Sequence, residues 1–402
     1  MPLTATWVGP ESIERVVDVR LRCYGGGPAE RATFLKKSEM SRTDAGDVLI
    51  LSDDTGDVAT ATSHSMTINV RGTPLPCQGV AWVGTVRSHR RRRVDGRGLA
   101  SRTMDALHEK AKERGQPVGM LAPFRVSFYE AFGYGVIERQ HTWTVPLELL
   151  PDDDTSGFAE YRDGDFDAAL ASRQRQFEQT HGDTSTSEGA LKYWLATLGD
   201  VGFRLVDRRP DGTIASQFTL GTEVEDGRRV AVVNKPFYDS PEALRRMLAM
   251  LGTLKDQYSF ARFTLPTDVP LNWLLREKQV PHRLVDHPAS SCMAITRMQA
   301  RIADVPAFVA ALRPPKGMAD AVVVGIGPLT YRIEIAGGHA TATLHDGPAD
   351  VTMTEPVAAA VLFGDLDIGE AYRFGIVKLL TPRALLLTIL AAGPKPYCHE
   401  YF

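Results

Sequence analysis

The stretch HRRRRVDGRGLASRTMDALHEKAKERG, residues 89–115, decides the fold of this chain. It runs from a basic loop with two glycines into a predicted helix, Leu99–Arg114, whose apolar residues recur on one face. Gly115 ends that helix as a C-cap. A predicted strand precedes the loop at Gly79–Val86, and another follows the helix at Pro117–Ala122. Earlier strands form a meander, so the sequence predicts a mixed α/β domain of the α+β class with a ligand site where the helix begins.

The segment Arg93–Leu99 has the residues of an anion-binding loop. Backbone N–H groups at a helix N-terminus attract a phosphate, and the helix dipole adds to that attraction. Gly96 and Gly98 let the backbone approach the anion closely, and Arg90 to Arg93 can screen its charge. The alternative is a solvated basic loop before a helix. A dinucleotide-binding loop is disfavoured because the preceding strands form an antiparallel meander rather than a βαβ unit.

In letters and in context, this loop resembles R-x-x-G-x-G, the acetyl-CoA pyrophosphate loop of the GNAT acetyltransferase superfamily. In that superfamily a tyrosine on the short helix after the next strand commonly faces the sulfur of CoA. The chain has Phe128-Tyr129 at this place, followed by Phe132-Gly133-Tyr134-Gly135. The resemblance implies that Tyr129 donates a proton to the departing thiolate. The alternative for Tyr129 is a core aromatic with a hydrogen-bonded hydroxyl, and Tyr134 is interpreted as structural.

Composition excludes several classes of protein. The sequence contains no run of about 20 apolar residues, so no membrane span is predicted. It also contains no basic segment followed by an apolar run at its start, so no secretion signal is predicted. A formal net charge of −3 argues against nucleic-acid binding. The four cysteines, Cys23, Cys77, Cys292 and Cys398, lie far apart without metal-ligand spacing. We therefore expect reduced thiols, no metal and a cytoplasmic protein.

Three regions are predicted, 1–150, 158–290 and 291–402, and the acidic, turn-rich Pro151–Gly157 marks the first boundary. The second region repeats the order of strands and helices of the first. Asn234–Asp239 takes the place of the glycine loop, and Pro236 within it has no amide to offer a phosphate.

The third region is predicted to hold a helix, Val305–Leu312, then four strands and three helices. The tail from Pro394 contains two prolines and three aromatic residues. It is predicted to be non-helical and packed against the protein.

Over its whole length the chain resembles the enhanced intracellular survival (Eis) family of aminoglycoside N-acetyltransferases. The matching features are Val86 with His89 to Arg92, Phe128-Tyr129 with Phe132–Gly135, and the ending Glu400-Tyr401-Phe402. The resemblance implies a catalytic GNAT domain, a second GNAT domain without a CoA loop, and a C-terminal domain similar to sterol carrier proteins. It also implies a homohexamer.

The resemblance further implies roles for single residues. Tyr129 would be the general acid, and the free carboxylate of Phe402, threaded back into the active site, would be the general base. From the residues themselves we expect Glu400, next to the proposed base, to contact the positively charged amine substrate, and a backbone N–H near Val86 to hold the oxyanion. The implied acetyl-CoA contacts are Thr85, Val86, Arg92, Arg93, Val94, Asp95, Gly96, Arg97, Gly98 and Leu99. The family runs R-R-R-G directly, whereas this chain inserts Val94-Asp95 before Gly96, which predicts a longer loop with a negative charge near the phosphate.

We therefore expect direct transfer of an acetyl group from acetyl-CoA onto a primary amine of an aminoglycoside, a polyamine or a lysine-like substrate. Glu11, Glu14 and Asp18 on the first helix are weaker candidates for binding a polycation, with a solvated helix face as the alternative. Two other hypotheses remain open. One is a lipid or sterol carrier built on the third region, and the other is a pseudoenzyme whose altered loop no longer binds CoA.

Overall fold

The computed structural model describes residues 3–39, 47–198, 202–278 and 289–400. These residues form two compact units, each discontinuous in sequence. Unit 1 comprises Met1–Ile137, Met298–Gly393 and Glu400 at the chain end, and unit 2 comprises Glu138–Arg297 and Pro394–His399. The division into three domains stays a prediction.

The first part of the chain contains seven strands and four helices in its described residues. The strands are β1 (Thr4–Val8), β2 (Val48–Asp53), β3 (Gly56–Val70), β4 (Thr73–Thr85), β5 (Arg93–Val94), β6 (Arg97–Gly98) and β7 (Val118–Leu121). The helices are α1 (Ile13–Tyr24), α2 (Pro28–Glu39), α3 (Leu99–Glu113) and α4 (Val126–Glu130). The predicted meander, long helix, strand and short helix are confirmed, whereas β1 and α2 were not predicted.

The main sheet of unit 1 is built around an antiparallel meander. Strands β1 to β4 pair with one another in chain order, all antiparallel. Strand β4 then pairs in parallel with β7, but only over Cys77–Gly79. The core on one face consists of α1 side chains packed on β2, and α3 packs on the other face.

The middle of the chain repeats this plan. Its strands are β8 (Gly135–Pro146), β9 (Phe158–Glu160), β10 (Gly202–Arg208), β11 (Ile214–Glu225), β12 (Arg228–Tyr238), β13 (Phe260–Pro266) and β14 (Ser291–Ile302). Its helices are α5 (Phe166–Gln179), α6 (Glu188–Leu198), α7 (Pro241–Gly252) and α8 (Leu271–Leu274). In unit 2 the strands follow the order β8-β13-β12-β11-β10-β9, and β12 pairs in parallel with β13 only over Val230–Val232. The elements that the sequence predicts here are confirmed: helices near 164–177 and 187–198, strands Gly202–Asp207, Thr213–Thr222 and Arg228–Lys235, helix Pro241–Thr253 and strand Ser259–Thr264. Asn234–Tyr238 belongs to the end of β12 rather than to a loop.

The last part of the chain adds a second sheet to unit 1. Its strands are β15 (Ala319–Ile326), β16 (Leu329–Ala336), β17 (His339–Leu344), β18 (Val351–Met353) and β19 (Lys378–Leu379), in the order β17-β16-β15-β18-β19. Its helices are α9 (Val305–Ala311), α10 (Glu355–Phe363), α11 (Ile368–Arg373) and α12 (Leu386–Leu390). Short 3₁₀ turns lie at Pro10–Ser12, Arg87–His89, Leu147–Leu149, Asp163–Asp165 and Pro382–Leu385. The alternation along β16 buries Tyr331, Ile333 and Ile335, as period-two patterning requires.

Strand β14 continues the main sheet of unit 1, and a side-chain hydrogen bond links that sheet to α9. The end of β14 pairs antiparallel with β7, Gln299 facing Leu121. The Thr73 hydroxyl donates to the carbonyl of Ala311 at 3.2 Å. Among the described helices, none has the length and apolar character that a membrane span requires.

Candidate active site

Strands β4 and β7 move apart at the point where the sequence predicted a ligand site. Their parallel pairing ends at Gly79 opposite Met120. A β-bulge follows, in which Trp82 and Val83 together oppose Ala61, and Trp82 takes a φ of 54°. A bulge turns the strand away from regular pairing, and a positive φ in a bulky residue is a strained conformation that functional sites often retain.

The end of β4 leaves one backbone amide directed toward the opening. The Val86 N–H donates to the Val58 carbonyl at 2.9 Å, on the β3 side of the strand. Because successive N–H groups of a strand point to opposite sides, the Thr85 N–H is directed to the β7 side. The amide available near Val86 is therefore that of Thr85.

The basic loop is a small hairpin rather than an irregular insertion. Strands β5 and β6 pair with each other, and Asp95 and Gly96 form the turn with φ values of 51° and 76°. Asp-Gly is the preferred sequence of such a two-residue turn. The side chain of Asp95 is 84% exposed and lies 3.3 Å from Arg102. The charge of Asp95 is thus directed to a surface arginine. The two residues inserted before Gly96, Val94 and Asp95, form part of the hairpin and its turn.

The hairpin is anchored in the core by two side chains. Val94 and Leu99 are buried in a cluster with Leu49, Leu51 and Val58. The backbone between them is therefore held in a fixed conformation on the surface. A loop fixed in this way can present its amides to a ligand without first paying the entropy of ordering.

Helix α3 begins directly after the hairpin with an open N-terminus. Its N-cap is Gly98, which provides no side-chain cap, and its first turn contains no acidic residue. The first N–H groups of a helix have no intrahelical acceptor, so those of Leu99, Ala100 and Ser101 need another partner. An anion at this position would satisfy them and would be favoured by the helix dipole.

The arginines of the loop differ in how they are engaged. Arg87 donates to the Tyr24 carbonyl at 2.7 Å, Arg92 forms an ion pair with Asp53 at 2.5 Å, and Arg97 forms one with Asp105 at 2.6 Å.

Among the described residues, Arg93 makes a single long contact, of 3.3 Å to the Gly96 carbonyl. Arg91 is exposed and has no polar partner within the part of the chain that the structure describes. These two guanidinium groups, rather than that of Arg92, are available to a ligand.

Helix α4 places Tyr129 in an apolar setting. Its side chain is 5% exposed and packs against Phe124, Phe128 and Tyr134, with ring centroids 4.8–6.2 Å apart. Burial raises the pKa of Tyr129 to about 12, so the phenol keeps its proton at neutral pH. Within the described residues its hydroxyl makes no hydrogen bond, which leaves it free to donate one to a ligand.

Tyr134 differs from Tyr129 in its surroundings. It is completely buried and stacks on His108 at 5.9 Å. Its hydroxyl has no partner among the described residues. A tyrosine enclosed in this way acts through packing, as the sequence predicted.

The acidic residues predicted to bind substrate are largely engaged elsewhere. Glu14 and Asp18 both pair with Arg31, and Glu11 accepts from the Gly9 amide. Glu400 is 1% exposed, so its carboxylate is not on the surface. Phe402, the predicted general base, lies outside the described residues.

Sequence reasoning missed Arg20, a buried cation beside the bulge. Its guanidinium lies 4.6 Å above the Trp82 ring and donates to the Thr62 hydroxyl at 3.0 Å. Burial lowers its pKa to about 10, so it remains charged at neutral pH. The signal was available, because Arg20 follows Val16 and Val17 at helical spacing on the apolar face of α1.

An open cavity of about 640 Å³ lies on another part of unit 1. It is bounded by Arg15, Asp18, Val19, Leu21, Arg22 and Asp57, on α1 and the start of β3. Of the predicted site residues, Asp18, a weaker candidate for substrate binding, lines it, whereas the predicted catalytic and acetyl-CoA contacts do not. In the described ranges, no three His, Cys, Asp or Glu side chains are arranged to hold a metal ion.

The first part of the chain matches one known family model. Residues 8–137 match the family model described as an acetyltransferase (GNAT) domain. The match includes the hairpin, α3 and Tyr129. A search of the curated proteins gave no match.

Solved structures resemble the chain over its entire length. Eis1 from Mycobacterium abscessus has a TM-score of 0.82 at 18% identity, and a GCN5-related N-acetyltransferase from Anabaena variabilis has 0.82 at 15%, with all of both chains covered in each case. A GCN5-related N-acetyltransferase from Kribbella flavida has 0.75 at 20%, covering 100% of this chain and 98% of its own. At these identities the likeness shows the fold alone.

Proposed function

We propose that the chain is an acetyl-CoA-dependent N-acetyltransferase that acts on a primary amine. One observation carries the proposal: the diverging β4 and β7, the uncapped start of α3 and the unbonded hydroxyl of Tyr129 all belong to the segment that matches a GNAT domain. The acceptor class predicted from the sequence, an aminoglycoside, a polyamine or a lysine-like amine, is carried forward with it.

The residues present fit the proposed co-substrate. The amides at the start of α3 and the guanidinium groups of Arg91 and Arg93 suit a pyrophosphate. The Thr85 N–H suits the carbonyl oxygen of a thioester, where it would stabilise developing negative charge. Acetyl-CoA supplies an activated acyl group, and the remaining chemistry falls to protein groups that move protons.

In the proposed reaction the amine nitrogen bonds to the acyl carbon and the carbon–sulfur bond breaks. The carboxylate of Phe402 accepts the proton that the amine loses, and the sulfur accepts a hydrogen bond and then a proton from Tyr129. A phenol with a pKa of about 12 is a weaker acid than a thiol, whose reference pKa is about 8.5. Proton transfer from Tyr129 to the thiolate is therefore unfavourable by itself, and it is completed when the tyrosinate regains a proton, equivalent to the one that Phe402 took from the amine.

The rest of the implied architecture is proposed on the same basis. Unit 2 is proposed to be a second GNAT-type fold that has lost its CoA loop, supported by the order of β11, β12, α7 and β13. The sheet β15–β19 with its helices is proposed to be similar to a sterol carrier protein. A homohexamer and a cytoplasmic location are retained as proposals.

A carrier function is not favoured by packing in the second sheet. Tyr331, Ile333 and Ile335 of β16, together with Leu387 and Leu390 of α12, are buried, as in an ordinary packed core. Extraction of lipid from the purified protein would support the carrier hypothesis.

The first test is titration calorimetry with acetyl-CoA, because absence of binding would favour a pseudoenzyme. The second is steady-state kinetics of Tyr129→Phe, for which kcat should fall by about 10²- to 10⁴-fold with an unchanged Kd for acetyl-CoA. Tyr134→Phe is the matched control and should keep wild-type kcat, since its hydroxyl has no partner in the described structure. A variant ending at Tyr401 tests the terminal carboxylate in the same way. Wild-type turnover in both the Tyr129 and the truncated variant would refute the mechanism.

A further inference from the structure

The tail of the chain lies against the ends of β12 and β13 in unit 2, beyond their short parallel pairing. That pairing ends at Val232. Beyond it, Lys235 of β12 donates to the His399 carbonyl at 3.0 Å, and the rings of Phe237 and Tyr238 contact that of His399. On β13, the carbonyl of Thr264 accepts from the Tyr397 hydroxyl at 3.1 Å.

A buried carboxylate is the centre of the contacts with the tail. Asp183 is completely buried and accepts from the His399 amide at 2.9 Å and from the His399 ring at 3.2 Å. Arg173 lies 2.7 Å away and is also buried. Burial alone would raise the pKa of Asp183, but Arg173 and His399 lower it to about 2, so the carboxylate is charged.

The imidazole of His399 is held in one tautomer by its two neighbours. Burial lowers the pKa of His399 to about 4, which outweighs the opposite effect of Asp183 and leaves the ring neutral at pH 7. Nδ1–H then donates to Asp183, and Nε2 accepts from the Gln176 amide at 2.7 Å. Both ring nitrogens are satisfied.

The tail backbone is bonded along three successive residues. The Tyr397 amide donates to the His181 carbonyl at 2.9 Å, and the Cys398 amide donates to the Glu138 carboxylate at 3.0 Å. The Cys398 carbonyl accepts from Arg297 at 2.8 Å. A segment bonded at every amide from 397 to 399 is a specific docked peptide and not a loose end.

We propose that the diverging ends of β12 and β13 form a receptor for the chain's own segment 394–399, and that Asp183 is a positioning residue that fixes the C-terminus for catalysis. The second half of this inference rests on the proposed function. His399 is three residues from the terminal carboxyl group, and three extended residues span at most about 11 Å. Fixing His399 thus restricts the terminal carboxylate to a small volume, whereas a free tail would sample a large one. In unit 2 the space between the diverging strands, which would bind the cofactor in unit 1, is therefore occupied by a peptide segment of the same chain.

The test combines hydrogen exchange with kinetics on the full-length protein. Asp183→Asn should abolish protection of the amides of residues 397–399 and lower kcat by about 10²-fold, with the Kd for acetyl-CoA unchanged. His399→Ala keeps the ion pair between Arg173 and Asp183, so it should fold even if Asp183→Asn does not, and it should give the same result in weaker form. His399→Asn can still donate to Asp183 and should restore part of kcat.

The matched control is Asp207→Asn in the same unit. Asp207 is equally buried and makes a two-fold ion pair with Arg246 at 2.8 and 2.9 Å, on residues that do not contact the tail. It should leave both the exchange of residues 397–399 and kcat unchanged. Unaltered exchange in both tail variants would overturn the receptor, and faster exchange with wild-type kcat would overturn the positioning role. If the wild-type protein shows no turnover, the proposed function fails, and exchange alone still decides on the receptor.

Discussion

Strand β4 with helix α3 in unit 1 and strand β12 with helix α7 in unit 2 start from the same construction. Each strand is antiparallel to the one before it and parallel to the one after its helix, and each carries a bulge with a positive φ, 54° at Trp82 and 50° at Lys235. The helices that follow begin differently. Gly98 leaves the start of α3 uncapped, whereas the Ser240 hydroxyl caps α7 by accepting from Ala243 at 3.1 Å.

Two further residues close the start of α7. Pro241 has no amide to offer, and Glu242 places a negative charge in the first turn. The difference teaches that the scaffold alone does not make an anion site. In the part of the chain that the structure describes, the start of α3 has no side-chain cap, and we propose that this open helix start is what an anion site requires.

The largest expected effect comes from giving α3 the charge that α7 carries. Ala100 and Glu242 both occupy the second position of their helix, so Ala100→Glu imitates unit 2. Two like charges about 4 Å apart repel by about 4 kcal/mol at an effective dielectric constant of about 20, so the Kd for acetyl-CoA should rise at least about a hundredfold. Calorimetry measures this. Lys112→Glu, at the far end of α3, is the control and should leave Kd unchanged; an unchanged Kd in Ala100→Glu would break the comparison.

The second prediction concerns two titratable groups that are buried where the tail binds in unit 2, Glu138 and His399. Burial raises the pKa of Glu138 to about 7, which removes stability as pH rises from the unfolded value of about 4.5 to 7. The pKa of His399 is lowered to about 4, which adds stability as pH rises from 4 to 6.5, so the two groups oppose each other. Glu138→Gln should therefore gain about 3 kcal/mol over wild type between pH 4.5 and 7, measured by urea unfolding. A gap between the two proteins that stays constant with pH would contradict a buried, proton-holding Glu138.

A smaller effect is expected from the arginines of the unit 1 loop. Arg91→Gln removes an exposed guanidinium without a partner in the described structure, and the Kd for acetyl-CoA should rise about tenfold at low salt and less at high salt. Arg92→Gln instead breaks the ion pair with Asp53 and should mainly lower the midpoint of thermal unfolding. The opposite pattern, with affinity lost only in the Arg92 variant, would show that the engaged arginine is the one that binds phosphate.

The smallest effect tests the closed helix start. Ser240→Ala removes the cap of α7 and should lower the free energy of unfolding by about 1 kcal/mol, measured with urea. Gly98→Ala in unit 1 removes no cap and should change stability less. If Ser240→Ala costs nothing, the helix start of unit 2 is satisfied by other groups, and the contrast with α3 is weaker than described.

Local patterns predicted much of this fold. The helix Leu99–Glu113 and the helix Pro241–Gly252 both lie within two residues of their predicted bounds, because apolar periodicity and flanking glycine or proline specify them locally. Strand β14 escaped prediction because its partner is distant, with Gln299 pairing to Leu121. No residue pattern near β14 in the sequence indicates that this strand pairs with β7.

The same distinction holds for the candidate site. Tyr129 and the glycine loop are encoded in short motifs, and the Asp95-Gly96 turn could have been recognised as a hairpin signal. The engagement of Arg92 by Asp53 could not, since the two residues meet only through the β2–β3 hairpin. Likewise, Asp183 and His399 are 216 positions apart, so the receptor for the tail is a property of the folded chain alone.

The seat of the tail has a consequence for how the protein is made. Segment 394–399 is synthesised late, yet it supplies buried hydrogen-bond partners to the Asp183 carboxylate and the Arg297 guanidinium, which lie 216 and 101 positions earlier in the chain. Until this segment is synthesised, both groups lack these hydrogen-bond partners, so unit 2 completes its folding only after segment 394–399 has emerged. A premature stop codon before residue 394 would therefore destabilise this unit, whatever its effect on catalysis.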